Sequence, residues 1–452
     1  MIFPDSFIIY ILFCACSFAM LQLGLTDGWP SFALPQLQSN SSKVVVTNDE
    51  GSWIVSTFPI GTIFGSLLLS FTFDKFGRKI ILLVGSLLFC AIWALIAFGQ
   101  TFWQFGVARF VAGISDGLIY PIILVYITEV SRPKIRGVLI TGTKISYVAG
   151  ILIINLLDEF FSRPNVAIIS SVLLCGVLLC LFVPESPYFY LIKNDYNTAK
   201  KSLEIYNRSA DIETIQNALT DQKSNGRKWS DLFTERTNRR RLYLMTIAKI
   251  FQQFTGFITF VYYAQTIFLE SKNDVNPIIF ASIYNSLQIL VLIINAMVID
   301  KFGRKPLLTT SSSIVALALI IISSYFTVKN VTEINVNDYT WCPILGSFLF
   351  IVGYTLGLQN VLDLVVSEIF PLHVKTVAVS IHNAIYGLSI MAVSKFFQYA
   401  KDEYGIHVPF IVFAIFSICS VPFFIVFIPE TKKKTLEDVE KCFRKKLESN
   451  VN

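Results

Sequence analysis

The chain has 452 residues, of which 54% are hydrophobic and only 15% charged, and its mean hydropathy is +0.61. A soluble domain carries about 25% charged residues. Apolar windows of about 18 residues or more recur along the whole length, and each is long enough to cross ~30 Å of hydrocarbon as a helix. The composition therefore excludes a soluble globular protein and predicts an all-α, multi-pass membrane protein. The net charge of +6 implies no nucleic-acid partner in such a chain.

The first apolar run, 7–25, is predicted to be a membrane span and not a cleaved signal peptide. No basic region precedes it, and it leads into a segment with Gly, Trp and Pro where a small-residue cleavage site is expected. The eight cysteines lie mostly inside apolar runs, without metal-ligand or disulfide spacing. We interpret them as small buried hydrophobic residues.

Twelve apolar segments are predicted to span the membrane, six on either side of a polar segment. They are 7–26, 52–72, 80–99, 104–127, 138–156, 166–183, 242–268, 278–299, 307–327, 343–366, 376–397 and 408–428. The predicted organisation is an N-terminal six-helix bundle (1–183), a cytoplasmic linker (184–241), a C-terminal six-helix bundle (242–430) and a cytoplasmic tail (431–452). The linker is predicted to hold short helices, at YNTAKKSLEIY (196–206) and DIETIQNALTDQ (211–222).

The distribution of Lys and Arg orients these spans. Basic residues concentrate in the connections after spans 2, 4, 6, 8 and 10 and in the tail, which predicts that both termini are cytoplasmic. Two glycosylation sequons, at Asn40 and Asn330, fall in connections predicted to lie outside. A third sequon, at Asn207, falls in the linker and is expected to stay unmodified.

Charged motifs repeat between the two predicted bundles. The hexapeptide DKFGRK occurs at 74–79 and again at 300–305, an offset of 300 − 74 = 226 residues. A TEV…R motif matches SEI…K at an offset of 239, and VPES matches IPET at an offset of 245. All of them fall on the predicted cytoplasmic side. Ordered repeats of this kind are typical of transporters built from two related halves around a central site.

These motifs resemble those of the sugar porters of the major facilitator superfamily, and in particular the insect facilitated trehalose transporter-like group. The further matching pieces are RFVAG (109–113), QQFTG (252–256), YY (262–263) and PETKKKTLED (429–438). The resemblance covers about 29–436. It implies twelve transmembrane helices in two pseudo-symmetric bundles and facilitated, alternating-access transport of a sugar such as trehalose or a hexose. It also implies a monomer in the plasma membrane, with no enzymatic activity and no cofactor.

By this resemblance, the charged motifs form a cytoplasmic gate. Its residues are Asp74, Arg78, Lys79, Arg109, Glu129, Arg136 and Glu185 in the first half, and Asp300, Arg304, Lys305, Glu368, Lys375 and Glu430 in the second. Arg109 is expected in the cytoplasmic half of span 4. The rule that basic residues stay inside explains the Lys and Arg of these motifs but not the acids, because Asp and Glu contribute little to orientation. Charge pairs at the bilayer edge suit a latch that closes and reopens.

The resemblance also indicates substrate-binding residues. Gln252 and Gln253 match the family's paired sugar-binding glutamines, and Gln288 stands where the family has an asparagine. Amides donate and accept hydrogen bonds, so they suit sugar hydroxyls. Tyr262 and Tyr263 match the family's outer gate. An interhelical hydrogen bond is the alternative role for a Gln pair in a membrane helix.

Other substrate positions depart from the family pattern. Lys144 replaces a glutamine of span 5, and Asp363 replaces a tryptophan of span 10. Asn360 and Leu362 replace prolines that help span 10 to bend, and Tyr386 begins a pair that replaces Asn-Trp. These changes leave three alternatives open: a diverged carrier of another polar or charged solute, a proton-coupled symporter and a non-transporting nutrient sensor.

Buried charges in a membrane span need partners. We hypothesise that Lys144 and Asp363 pair across the cavity, with Lys249 as a competing partner for Asp363; separate hydration of each charge is the alternative. Asp27 lies one residue from the position where proton-coupled sugar porters carry an aspartate, which is Thr26 here. We expect Asp27 to cap the outer end of span 1.

Overall fold

The computed structural model describes residues 7–38, 46–206, 230–263, 267, 277–332, 336–370 and 372–430, and every element in these ranges is helical. Spans 1 to 6 are Phe7–Gln38, Asn48–Phe76, Arg78–Phe98, Phe102–Val130, Pro133–Phe160, and Arg163–Leu173 continued by the 3₁₀ helix Leu174–Phe182. Spans 7 to 12 are Arg236–Gln253 with Phe257–Tyr262, Pro277–Phe302, Arg304–Val331, Trp341–Leu356 with Val361–Ile369, Leu372–Tyr404, and His407–Phe427.

Span 7, predicted over 242–268, consists of two helices with a break between them. Of the described helices, 11 are long and apolar enough to cross a membrane, and span 7 is not among them. Its first helix ends at Gln253, and Gly256 then adopts a left-handed conformation with φ of +83°. A Cβ on Gly256 would lie 2.4 Å from a ring carbon of Phe413, so the break also depends on the close approach of span 12.

Span 10 is also broken, although the family's prolines are absent. Its two helices, Trp341–Leu356 and Val361–Ile369, replace the continuous span predicted over 343–366. A Cβ on Gly357 would lie 2.4 Å from the Leu307 carbonyl oxygen, so close packing against span 9 sets the point of the break. The Ser311 hydroxyl accepts the Leu358 N–H at 2.9 Å and thereby satisfies a donor that the break releases.

The described helices form two bundles, each with its own hydrophobic core. Span 1 packs against span 5 and span 2 against span 4 in the first bundle, and span 9 packs against spans 10 and 12 in the second. A Cβ on Gly113 would lie 1.9 Å from the Phe58 carbonyl oxygen, so only glycine permits the close crossing of spans 2 and 4. Span 2 against span 11 and span 5 against span 8 join the bundles.

Short helices occupy the described parts of the linker. The predicted helix at YNTAKKSLEIY is confirmed as Tyr196–Ile205. The Asp195 carboxylate caps this helix by accepting the Thr198 N–H at 3.1 Å, and this hydrogen bonding lowers the pKa of Asp195. The second predicted helical stretch, 211–222, lies outside the described residues. The boundaries assigned to the four regions from sequence stay predictions.

Candidate functional site

A cavity lies between the two bundles and is lined by spans 1, 4, 5, 7, 10 and 11. Its space is about 800 Å³, part of it continuous with open solvent. Aliphatic and aromatic side chains form much of the wall. The ionisable and amide side chains that line it are Asp27, Asp116, Lys144, Lys249, Gln252, Gln253, Gln359, Asp363, His382 and Asn383.

Asp363 is the hub of a buried polar network in this cavity. Its carboxylate lies 2.6 Å from the Lys144 ammonium and 3.2 Å from that of Lys249. The Tyr120 hydroxyl donates to the same carboxylate at 2.5 Å, and the His382 ring nitrogen Nε2 lies 3.5 Å away. Lys144, the hypothesised partner, and Lys249, its competitor, thus both bind Asp363. Lys144 and Tyr120 belong to the first half, so this network joins the halves at the cavity.

Three side chains predicted to bind substrate contact the break in span 10 instead of leaving all their polar atoms to a ligand. The Gln252 amide donates to the Leu358 carbonyl oxygen. The Lys144 ammonium donates to the Gln359 carbonyl oxygen at 2.8 Å, and the Gln288 amide donates to the Gln359 side chain at 3.1 Å. The bonds from Gln252 and Lys144 satisfy backbone carbonyl groups that an unbroken helix would pair internally. They stabilise the bend that prolines provide elsewhere in the family.

Gln253 keeps a polar atom for the cavity. Its amide nitrogen donates to the Gln252 side chain at 3.2 Å. Its Oε1 is buried, lines the cavity and has no hydrogen-bond partner within the described part of the chain. Gln253 is therefore the predicted glutamine best placed to accept a hydrogen bond from a bound solute.

Arg109 and Glu129 lie near opposite ends of span 4, so the assignment of Arg109 to the same gate as Glu129 is wrong. Arg109 is 7 positions from the start of the helix Phe102–Val130, and Glu129 follows 20 residues later, about 30 Å along the axis. Its guanidinium donates to the Thr26 carbonyl oxygen at 2.6 Å and lies 3.9 Å from the Asp27 carboxylate. Arg109 therefore belongs to the cavity side of the molecule.

Asp27 does not cap span 1, because the helix continues for 11 residues beyond it to Gln38. The side chain is buried and lines the cavity, where the Tyr147 hydroxyl donates to it at 2.8 Å. The sequence comparison had matched the aspartate of proton-coupled sugar porters to Thr26, one residue before Asp27. The Thr26 hydroxyl instead bonds to the carbonyl oxygens of Gln22 and Leu23 in its own helix.

Sequence reasoning missed Asp116, which lines the cavity and is 6% exposed. The Thr62 hydroxyl donates to its carboxylate at 3.1 Å. The signal was available, because an acid inside an apolar span marks a functional site by default. Tyr120 and His382 were also missed, and only their folded contacts with Asp363 reveal them.

Of the predicted aromatic residues, Tyr386 lines the cavity, and Tyr262 and Tyr263 lie at the end of the second helix of span 7. The Tyr262 ring lies 5.7 Å from the Arg109 guanidinium, and Tyr263 packs against span 11. The Tyr386 ring lies 5.0 Å from the Lys249 ammonium. Nearby, the Lys395 ammonium of span 11 donates to the Ser52 hydroxyl of span 2 at 2.5 Å, which joins the outer ends of the two halves.

In the first half, the predicted gate residues form a compact cluster that we call the first clamp: Arg78, Lys79, Glu129 and Glu185. The Arg78 guanidinium binds Glu129 through two contacts, at 2.9 and 3.0 Å. The Glu185 carboxylate accepts the backbone N–H groups of Arg78 and Lys79 at 3.0 and 2.9 Å. Burial raises the pKa of Glu185, although these hydrogen bonds oppose the shift. The Lys79 ammonium donates to a carbonyl oxygen of span 6 at 2.8 Å.

The second half repeats this geometry in a second clamp of Arg304, Lys305 and Glu430. Glu430 accepts the backbone N–H groups of Arg304 and Lys305 at 3.0 and 3.1 Å. The preceding Gly303 has φ of +87°, and Gly77 in the first clamp has φ of +88°. Glu185 and Glu430 thus bind equivalent turns in the two halves, as the sequence repeat indicated.

The remaining predicted gate and glycosylation residues are less fully described. The side chains of Asp74, Asp300 and Glu368 lie outside the described residues, as does Asn40. Arg136 and Lys375 take part in interactions, and their gating role stays a prediction. Asn330 is exposed in the last turn of span 9, where its amide nitrogen lies 3.4 Å from His407 Nδ1. Its glycosylation stays a prediction.

Comparison with known proteins identifies the family. The model described as "Sugar (and other) transporter" matches residues 13–443, which is nearly the whole chain. The chain belongs to this family. It is 27% identical over 432 residues to the facilitated trehalose transporter Tret1 of Bombyx mori, covering 94% of this chain and 85% of that protein. It is 28% identical over 440 residues to the mouse solute carrier family 2, facilitated glucose transporter member 6, covering 92% and 87%.

A solved structure shares the fold. The proton:xylose symporter XylE bound to 6-bromo-6-deoxy-D-glucose superposes with a TM-score of 0.83 at 21% identity, covering 96% of this chain and 99% of that one. The predicted fold class, all-α with twelve transmembrane helices in two six-helix bundles of the major facilitator superfamily, is confirmed. The chain is thus a multi-pass membrane protein.

Proposed function

We propose that this protein is a carrier that moves a small polar solute across the plasma membrane by facilitated, alternating-access transport, as a monomer with both termini cytoplasmic. The relatives named as trehalose and glucose transporters support a sugar such as trehalose or a hexose as the first candidate solute. The observation that carries the proposal is the polar cavity at the junction of the halves, joined by the ion pair between Lys144 and Asp363. A solute bound there contacts both halves, so its binding is sensitive to their relative position.

The contacts suggest how the two halves move. The clamps tie the cytoplasmic ends of spans within one half through Glu185 and Glu430, so each half moves as a unit. Contacts between halves, such as Lys395 with Ser52, break and re-form as the cavity opens to one side and then the other. We propose that the charged motifs also latch the halves on the cytoplasmic side, as several partly desolvated pairs in parallel form a bistable element.

A charged solute is the second candidate, because Lys144 and Asp363 stand where the family carries uncharged sugar-binding residues. Proton coupling is favoured by a separate observation, the buried Asp27 beside Arg109. A buried acid with one cationic neighbour is suited to take up and release a proton as that contact changes. The solved relative XylE is named a proton:xylose symporter.

Uptake of a radiolabelled panel in oocytes at two pH values tests the proposal. The panel contains sugars, polyols, and organic anions, cations and zwitterions. Saturable uptake of one class above water-injected controls supports a carrier. Ligand binding to the purified protein without uptake of any panel member would contradict it and favour a nutrient sensor.

A further inference from the structure

Two groups of opposite charge face the central cavity. The acidic group consists of Asp27, Asp116 and Arg109, whose two carboxyl groups, when both are ionised, outnumber the one guanidinium by one charge. The lysine group consists of Lys144, Lys249 and Asp363, and its two ammonium groups and one carboxylate leave one positive charge in excess. All but Arg109 line the cavity directly.

In the acidic group, the excess charge falls on Asp116. Arg109 contacts Asp27 at 3.9 Å, and Asp27 also accepts the Tyr147 hydroxyl. Asp116 accepts only the Thr62 hydroxyl, and within the described ranges no basic group lies within 4.0 Å of its carboxylate. It lies two helical turns from Arg109 on the same side of span 4, so it faces the same part of the cavity. A buried carboxylate with one hydroxyl donor is a site for a cationic group.

In the lysine group, the excess charge falls on Lys249. Lys144 makes the shorter contact with Asp363, 2.6 Å against 3.2 Å, and a second bond to the Gln359 carbonyl oxygen. The Lys249 ammonium has three donor protons, and Asp363 is its one hydrogen-bond acceptor in the described residues. The face of Tyr386 covers another side of it at 5.0 Å. A carboxylate entering the cavity would complete this arrangement.

The wall between the two groups carries hydrogen-bonding capacity. Asp116 and Tyr120 are one turn apart on span 4, and the Tyr120 hydroxyl contacts Asp363 at 2.5 Å. The unpaired Gln253 Oε1 opens into the same space. Three observations on the described residues therefore point to a ligand here. Asp116 has no cation within 4.0 Å, Lys249 has spare donors, and the buried Gln253 Oε1 has no donor among them.

We infer that the cavity binds a small zwitterion, with its ammonium group on Asp116 and its carboxylate on Lys249. Transport of this zwitterion would rest on the proposed carrier function, whereas its binding does not. A zwitterion neutralises both excess charges at once, whereas a neutral sugar leaves both buried and unmatched. A simple anion or cation leaves one of them unmatched. In the competing arrangements Asp116 is protonated, or Asp116 and Lys249 neutralise each other through water, and neither predicts that a zwitterion binds more tightly than both of its matched analogues.

The test uses a ligand series that varies only in charge. The zwitterions are glycine and its ω-amino homologues with one to five methylene groups, each matched with the carboxylate and the amine of the same length. Glucose and trehalose are the neutral members. Binding to the purified full-length protein is measured by calorimetry, and uptake is measured in proteoliposomes. We expect one zwitterion to bind at least about tenfold more tightly than both of its matched analogues, the scale of one charged hydrogen bond.

Two substitutions test the assignment of each end. Asp116→Asn should weaken that zwitterion about tenfold or more and leave the matched carboxylate unchanged, because only the ammonium partner is lost. Lys249→Gln should do the reverse and spare the matched amine. Asp338→Asn and Lys200→Gln make the same chemical changes at exposed positions and should alter neither. The ligand ranking of the unmodified protein stands as a test even where a variant fails to fold.

The outcomes separate this inference from the carrier function. Uptake of sugars with no zwitterion binding overturns the inference and leaves the carrier intact. Zwitterion binding without flux of any solute supports the inference and contradicts the carrier. An equal loss of all ligands in Asp116→Asn, charged and neutral alike, would also overturn the inference, because it indicates a structural effect.

Discussion

The Asp363 carboxylate lies 2.6 Å from the Lys144 ammonium, and the two side chains come from different six-helix halves. Both are about 95% buried, so neither charge is compensated by bulk water. The Lys249 ammonium shares the same carboxylate from span 7. Removing Asp363 therefore leaves two ammonium groups facing each other, whereas removing Lys144 leaves one ion pair intact.

This asymmetry predicts unequal effects of substitution. Asp363→Asn should destabilise the protein by about 3–5 kcal/mol, the cost of breaking a buried pair, and Lys144→Gln should cost clearly less because Lys249 still pairs with Asp363. The double exchange Lys144→Asp with Asp363→Lys should recover part of the loss. Thermal unfolding of the purified protein measures all three. Equal melting temperatures for Asp363→Asn and the unmodified protein would show that the network carries no such energy.

Gly77 and Gly303 should be intolerant of a side chain. Alanine at Gly77 would have to adopt φ of +88° with ψ of +171°, a region essentially restricted to glycine, which costs about 1–3 kcal/mol. Its Cβ would also lie 2.5 Å from the Glu185 carboxylate. At Gly303 the corresponding distance to Glu430 is 2.7 Å. Each alanine substitution should lower the melting temperature and the transport rate. Gly106→Ala is the control, since no atom lies within 4 Å of its Cβ position, and it should leave both nearly unchanged.

The clamps predict matched effects in the two halves. Glu185→Gln and Glu430→Gln each replace a carboxylate that accepts two backbone N–H groups with an amide whose single oxygen cannot serve both equally. We expect a several-fold loss of exchange rate in each variant, with solute affinity largely retained because both clamps lie away from the cavity. Initial rates against solute concentration give the two quantities separately. A change confined to affinity would place these residues at the binding site instead.

Asp27 provides the test of proton coupling. If its carboxyl group takes up the transported proton, Asp27→Asn should abolish the dependence of uptake on pH and on uncouplers. Exchange of solute present at equal concentrations on both sides of the membrane should remain unchanged. Arg109→Lys keeps the charge and loses the planar guanidinium, and should shift the pH dependence without abolishing it. Uptake by the unmodified protein that is insensitive to both pH and uncouplers would exclude coupling altogether.

Much of the fold was predictable because it follows from one-dimensional patterns. Apolar run lengths gave the spans, and the repeated charged motifs gave the relation between halves. The breaks in spans 7 and 10 were not predictable in the same way. Gly256 and Gly357 are ordinary glycines in sequence, and contacts with Phe413 and Leu307 from other spans decide where the helices break.

The site was predicted in part. Lys144 and Asp363 stood out because they depart from the family pattern at substrate positions. Asp116 would have been found by the rule that an acid inside an apolar span marks a functional site. The predicted position of Arg109 was wrong because it was taken from a family motif, whereas Arg109 lies only seven residues from the start of its helix. The bonds from Gln252 and Gln288 to span 10 depend on the break itself, so no local pattern encodes them.

The measurement that tests alternating access most directly is trans-stimulated uptake in proteoliposomes holding the purified protein. The labelled solute that the uptake panel identifies is added outside, with and without an excess of the same unlabelled solute inside. A carrier whose cavity opens to one side at a time should take up label several-fold faster in the loaded vesicles and saturate with concentration. Uptake that rises linearly with concentration and ignores the internal solute would contradict the account.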